Sequence, residues 1–144
     1  MLNVFACFGS FFFGKIEDSH GVKWCIEISI ITLFFAVLLA FIAPYFNNIL
    51  IGKSIFWFAG ILIGIMTGPS QSCSRSLMAR LTPEEKTNEF FGFYAFTGKA
   101  TAFLGPFLFA LLSTYSPQIG LLVVVLFFLI GYFIFKPLKI NRHA

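Results

Sequence analysis

The residue with the least comfortable position is Lys99. It lies in residues 68–106, GPSQSCSRSLMARLTPEEKTNEFFGFYAFTGKATAFLGP, with long apolar runs on both sides. A helix entering the apolar run near Phe90 carries Lys99 about 14 Å along its axis. That depth is too great for a short snorkel to either surface. Charges inside a membrane are costly and mark solute paths, ion paths or proton relays. A cation there can hold a carboxylate, from a solute or from another helix. The structural alternative is a lysine bonded to carbonyls loosened beside Gly98. Gln71, Ser74 and Tyr94 are the accompanying polar candidates along a substrate pathway. Gln71 and Ser74 are three residues apart and share a helix face. Their competing role is hydrogen bonding between helices.

These residues need a membrane scaffold. The chain has 144 residues, of which 58% are hydrophobic and 11% charged, with 22 phenylalanines. A soluble domain carries about 25% charged residues, so this is an integral membrane protein. The phenylalanines face lipid or neighbouring helices. Apolar runs at residues 24–43, 55–79, 88–113 and 118–135 are each long enough to span, which takes roughly 20 residues. Residues 1–14 are apolar but cover only about 21 Å and read as half a helix. Lys15–Lys23 reads as a compact charged loop. Pro44 ends one span, and Pro69 invites a kink in the next. Thr82, Pro83 and Glu85 form a capping-box start, and Ser116-Pro117 is another capped start. The expectation is an all-α polytopic membrane protein, with four full transmembrane helices and an N-terminal half helix.

Small residues supply the packing faces. Gly60, Gly64 and Gly68 recur every four residues and form a strip for close helix approach. Gly98 and Gly105 are assigned the same role, and Ala36 and Ala40 form a further small pair. Cys7, Cys25 and Cys73 read as small buried residues, with no disulfide framework.

Cations set the orientation. Lys15, Lys23, Arg75, Arg80, Lys86, Lys136, Lys139 and Arg142 fall on one side and Lys53 on the other. The positive side is the cytoplasmic one, so the C-terminus is expected there.

Several classes are disfavoured. The net charge of +4 is spread over short loops and not gathered on one face, as nucleic-acid binding requires. His20 and His143 lack companion ligands, so no metal is expected. There is no P-loop, HExxH or nucleophile–base pair, hence no enzyme and no cofactor.

Two motifs carry a family resemblance. Gly14, Asp18, Gly21 and Lys23 resemble the GxxxDxxGxK loop signature of the major facilitator superfamily, with Ser19 and Val22 where arginines are common. Ser74-Arg75-Ser76-Leu77, Ala79-Arg80-Leu81, Pro83, residues 89–94, Gly98-Lys99 and residues 104–106 resemble the vacuole effluxer-like branch, which includes autophagy-related amino-acid effluxers and bacterial permeases. The resemblance covers residues 1–144 as the C-terminal part of a carrier, its helices eight to twelve. It implies secondary transport of small solutes, amino acids among them, by alternating access. It places Asp18 as a gating or packing element at the cytoplasmic rim. The implied partners are a solute, the bilayer, and the missing N-terminal helices on a separate or upstream polypeptide. The chain is not expected to transport alone. A bacterial inner membrane is expected rather than a vacuolar one. The alternative from another class is a small membrane subunit or adaptor that packs against other helices and carries no solute.

Overall fold

The structure is a computed structural model that describes residues 2–138, with side chains from Ala6 onward. The basic-tail residues Lys139, Arg142 and His143 lie outside the described residues. Five α-helices follow in order: α1 (Leu2–His20), α2 (Val22–Ile42), α3 (Ile49–Leu81), α4 (Thr87–Ser113) and α5 (Pro117–Phe135). There is no strand among the described residues. Among the described residues, four segments are long and apolar enough to cross a membrane: Val22–Tyr45, Ile49–Leu81, Glu84–Ser113 and Pro117–Phe135. The protein is a helical membrane protein.

The helix boundaries differ from the expected ones in instructive places. α1 continues to His20, so residues 15–20 are helical and not a loop. Charge does not break a helix; a backbone breaker does, and residues 15–20 contain neither glycine nor proline. Gly21 takes φ 87°, the left-handed region that glycine adopts without strain. The α1–α2 connection is therefore a single-residue corner. The capping box at Thr82 does not form. The Thr82 hydroxyl instead donates back to the Met78 carbonyl at 2.6 Å, closing the last turn of α3. A 3₁₀ turn over Glu84–Lys86 follows, and α4 starts only at Thr87. The Ser116 start does form: its side chain accepts from the Gln118 backbone N–H, with Pro117 in the first turn.

The helices form an open row. α3 packs against α1 and α2, α2 also against α5, and α5 against α4. α1 and α3 run parallel, since Ala6 and Gly9 meet Ile65 and Gly68 while Glu17 meets Cys73 and Ser76. The main core lies near one end, where Val22, Cys25, Ile26, Cys73 and Leu77 cluster under Phe13, Ile16 and Phe135. Cys7, expected to be buried, is exposed on α1, because that face of α1 has no neighbour within the described chain.

Pro69 explains the α1–α3 contact. Proline lacks an N–H, so the carbonyl four residues earlier, that of Ile65, loses its helical donor. Gly9 of α1 comes up against that carbonyl, and a Cβ at Gly9 would overlap the oxygen. Gly68 in turn sits on the Ala6 carbonyl and the Ser10 hydroxyl, with no room for a Cβ. Such approach allows Cα–H···O contacts between helices. α3 stays helical through Pro69, and α1 covers the gap.

α4 is the opposite case. It contains no buried residue. One side meets α5, where Gly120 lies against the Phe109 ring and backbone; Tyr94 faces α3 across a cavity, and most of the remaining surface is exposed.

Candidate substrate pathway

A cavity of about 350 Å³ opens where four helices converge. Ile30 of α2, Ser74 and Met78 of α3, Tyr94 of α4, and Gly131 and Phe135 of α5 line it. The structure thus brings Ser74 and Tyr94 to one site. Ser74 is half-buried and donates to the Ser70 carbonyl at 2.7 Å, which leaves its oxygen able to accept. Tyr94 is half-buried as well, and its phenol can donate or accept. The remaining wall is apolar. The site suits a small polar group carried on an apolar body.

Lys99 and Gln71 are not in that lining. Gln71 precedes Ser74 on the same stripe but is exposed. Lys99 is five residues beyond Tyr94, which turns it about 140° around α4. It is exposed and has no hydrogen bond or ion pair among the described residues. It sits about 18 Å along a helix of roughly 40 Å, close to half way.

The glycines divide similarly. Gly64 is buried in α3, and Gly68 is pressed onto α1. A Cβ at Gly60, Gly98 or Gly105 would meet nothing within 4 Å.

The loop-motif residues also separate. Gly14 lies within α1 with open space around it, and Gly21 makes the corner. Asp18 is exposed. Lys23 reaches the end of α5, donating to the carbonyls of Lys136 at 3.1 Å and Leu138 at 2.6 Å. It also pairs with Glu27 at 3.6 Å. A lysine on the last carbonyls of a helix satisfies acceptors that have no internal donor and complements the helix dipole.

Sequence reasoning passed over Glu17. Its carboxylate accepts from the Ser76 hydroxyl at 2.6 Å and from the Cys73 thiol at 3.4 Å. Cys25 and Ser29, both fully buried, stand alongside on α2. Glu17 therefore bolts α1 to α3 at the charged end. The available signal was the spacing of Gly9, Phe13 and Glu17, four residues apart, which continues one α1 stripe into the charged stretch.

Residues 1–144 match the family model described as "Vacuole effluxer Atg22 like". An "Uncharacterized MFS-type transporter YxiO" of Bacillus subtilis is 29% identical over 124 residues, covering 85% of this chain and 27% of that protein. "Autophagy-related protein 22" of Kluyveromyces lactis is 30% identical over 100 residues, covering 67% of this chain and 20% of its own length. The same-named protein of Candida glabrata is 29% identical over 85 residues, covering 58% of this chain and 16% of its length. The chain thus spans about a quarter or less of the length of the curated relatives it matches. No solved structure shows a significant match.

Proposed function

The chain belongs to the vacuole effluxer Atg22-like family, and on that premise we propose that it forms one wall of the solute pathway of a secondary transporter. The observation that carries this reading is the contrast within α4. One face closes the Ser74–Tyr94 cavity with α5, while the remainder, including Lys99 near mid-length, is exposed. A spanning helix with an unpaired cation at mid-depth is stable in lipid only if protein or a wet path covers it. Transporters of this general kind rock two helical halves about a midplane site. We place the five helices at positions eight to twelve of such a carrier, joined to preceding helices on the same or another polypeptide.

In this reading Lys99 faces the joint cavity and attracts a carboxylate. Tyr94 and Ser74 hold a polar group of the solute against an apolar wall, and Gln71 continues the polar line along α3. The solute class is small molecules bearing a carboxylate, amino acids first among them. The positive end, with Lys15, Lys23, Arg75, Arg80, Lys86 and Lys136, lies in the cytoplasm. The C-terminus lies there too, and the membrane is a bacterial inner membrane.

Solute counterflow in proteoliposomes tests this. The chain is reconstituted alone, and also with the part of a full-length relative that it does not cover. The expectation is accumulation of labelled amino acid only in the combined sample. Lys99→Met abolishes it and Tyr94→Phe weakens it, at unchanged protein level. Counterflow by the chain alone, failure of the two parts to associate, or undiminished transport in both variants sinks the reading.

A further inference from the structure

A second concavity lies along the α2–α5 contact, next to the Ser74–Tyr94 cavity, with Ile30 common to both. It encloses about 230 Å³. Ile31, Phe34 and Phe35 of α2 and Phe128, Leu129 and Tyr132 of α5 line it. Its lining offers almost nothing polar besides the Tyr132 hydroxyl, so water gains nothing by entering.

Charged and amphipathic groups gather at one end of this groove. Trp24 is seven residues before Ile31 and eleven before Phe35, so it shares their stripe on α2. It is 38% exposed and stacks on His20, with ring centroids 4.8 Å apart. Glu27 is seven residues before Phe34, again on the groove face, and pairs with Lys23. On α5, Lys136 is one turn beyond Tyr132, and its ammonium lies over that ring at 5.5 Å. Lys23 is already engaged by Glu27 and two carbonyls. Lys136 has no carboxylate partner among the described residues. The local balance at the mouth is therefore positive. The step from Trp24 to Ile31 is about 10 Å along the helix, a fitting offset between a phosphate and its acyl chains.

We propose that this groove is a binding site for an anionic glycerophospholipid. One acyl chain lies between Phe34/Phe35 and Phe128/Leu129, and the phosphate meets Lys136 beside the Trp24 indole. A packed helix is a poorer occupant, because it would have to bury Lys136 and the Lys23–Glu27 pair. A lipid fills the apolar part and leaves its headgroup, and those charges, at the water boundary. Tryptophan suits that level, where one edge is apolar and the other wet.

Trp24 itself reports on the site. The chain has two tryptophans, so Trp57→Phe leaves Trp24 alone. The protein is reconstituted in phosphatidylcholine vesicles with a minor fraction of dibrominated phosphatidylglycerol or, separately, dibrominated phosphatidylcholine. Bromine quenches indole fluorescence on contact. The expected result is stronger quenching by the anionic phosphatidylglycerol, corresponding to about five-fold enrichment for one lysine at the surface. Lys136→Gln brings the two lipids level, and Lys15→Gln, at the same end but off the groove, leaves the preference intact. Lys136 is exposed and the carbonyl that holds Lys23 is unchanged in the glutamine variant, so the fold is kept. Equal quenching in the parent, a preference that survives Lys136→Gln, or an equal loss in Lys15→Gln overturns the proposal.

Discussion

The α1–α3 contact and α4 make opposite uses of the same residue types. Both have glycines at helical spacing, a proline inside the helix and a charged residue beside an apolar face. Along α1–α3, Gly9 and Gly68 are pressed against carbonyls, Pro69 is buried, and Glu17 holds Ser76 and Cys73. Along α4, Gly98 and Gly105 look into open space and Lys99 has no partner among the described residues. Composition alone does not separate a finished interface from an unfinished one. What separates them is whether each polar or small residue meets a complementary atom. The first region holds this chain together; the second makes no such contact among the described residues.

The sharpest way to break that comparison is to put a side chain where backbones touch. Gly68→Val would drive a branched side chain into the Ala6 carbonyl, which cannot yield as a flexible side chain would. The expected cost is about 1–3 kcal/mol, or loss of α1 docking altogether. Gly60→Val, two turns away on the same strip, should be close to neutral. Unfolding in mixed micelles, with cross-linking between α1 and α3, compares the two. Equal effects would mean the strip packs as a whole and not at its α1 contact.

Next in size is the carboxylate bolt. Glu17→Leu removes the acceptor for Ser76 and Cys73 while keeping bulk. Interhelical hydrogen bonds in membranes average about 0.6 kcal/mol and reach about 1.7 kcal/mol. A charged acceptor with two donors belongs at the upper end, so a loss of about 1–1.5 kcal/mol is expected. The double variant Glu17→Leu/Ser76→Ala should cost little more than Glu17→Leu alone. Additive losses would show that the two do not act through one bond.

Legibility in the sequence followed the same division. The spans were readable because twenty apolar residues have few other uses. Gly60, Gly64 and Gly68 stood out by their spacing, but spacing does not say which of them a neighbouring backbone touches. Glu17 did not stand out, because a cluster of charges reads as a loop until a backbone breaker is demanded, and the breaker is Gly21, not Gly14. The helix start at Thr82 was misjudged for a related reason. A threonine hydroxyl can close the helix behind it as readily as open the one ahead. Ser74 and Tyr94 were singled out by type, but their shared cavity depends on how α3, α4 and α5 pack. Gly9 shares the four-residue spacing of Phe13 and Glu17, but its importance comes from the carbonyl that Pro69 leaves without a donor.

A smaller effect belongs to the α5 end. Lys23→Met keeps the aliphatic stem and removes the donor to the Lys136 and Leu138 carbonyls. A cation at a helix C-terminus is worth about 0.3–1 kcal/mol. Hydrogen exchange in the last turn of α5 should rise, with α2 little changed. Protection unchanged at both places would mean that the capping geometry is not maintained.

The smallest expected effect is the most telling. Lys99→Met should change the stability of this chain in isolation by less than about 0.5 kcal/mol. The residue is exposed and no described group depends on it. In detergent the side chain reaches water, so its removal relieves no burial and breaks no bond. In an assembly that covers α4 the balance differs. A lysine with a carboxylate partner there loses several-fold in association when truncated, and a carboxylate left alone in a dry interface is costly. Measuring the same variant in both settings separates the two surfaces. A large loss in the isolated chain would place Lys99 inside this chain's own packing. Indifference in both settings would leave the cation without a role at a depth where cations rarely persist without one.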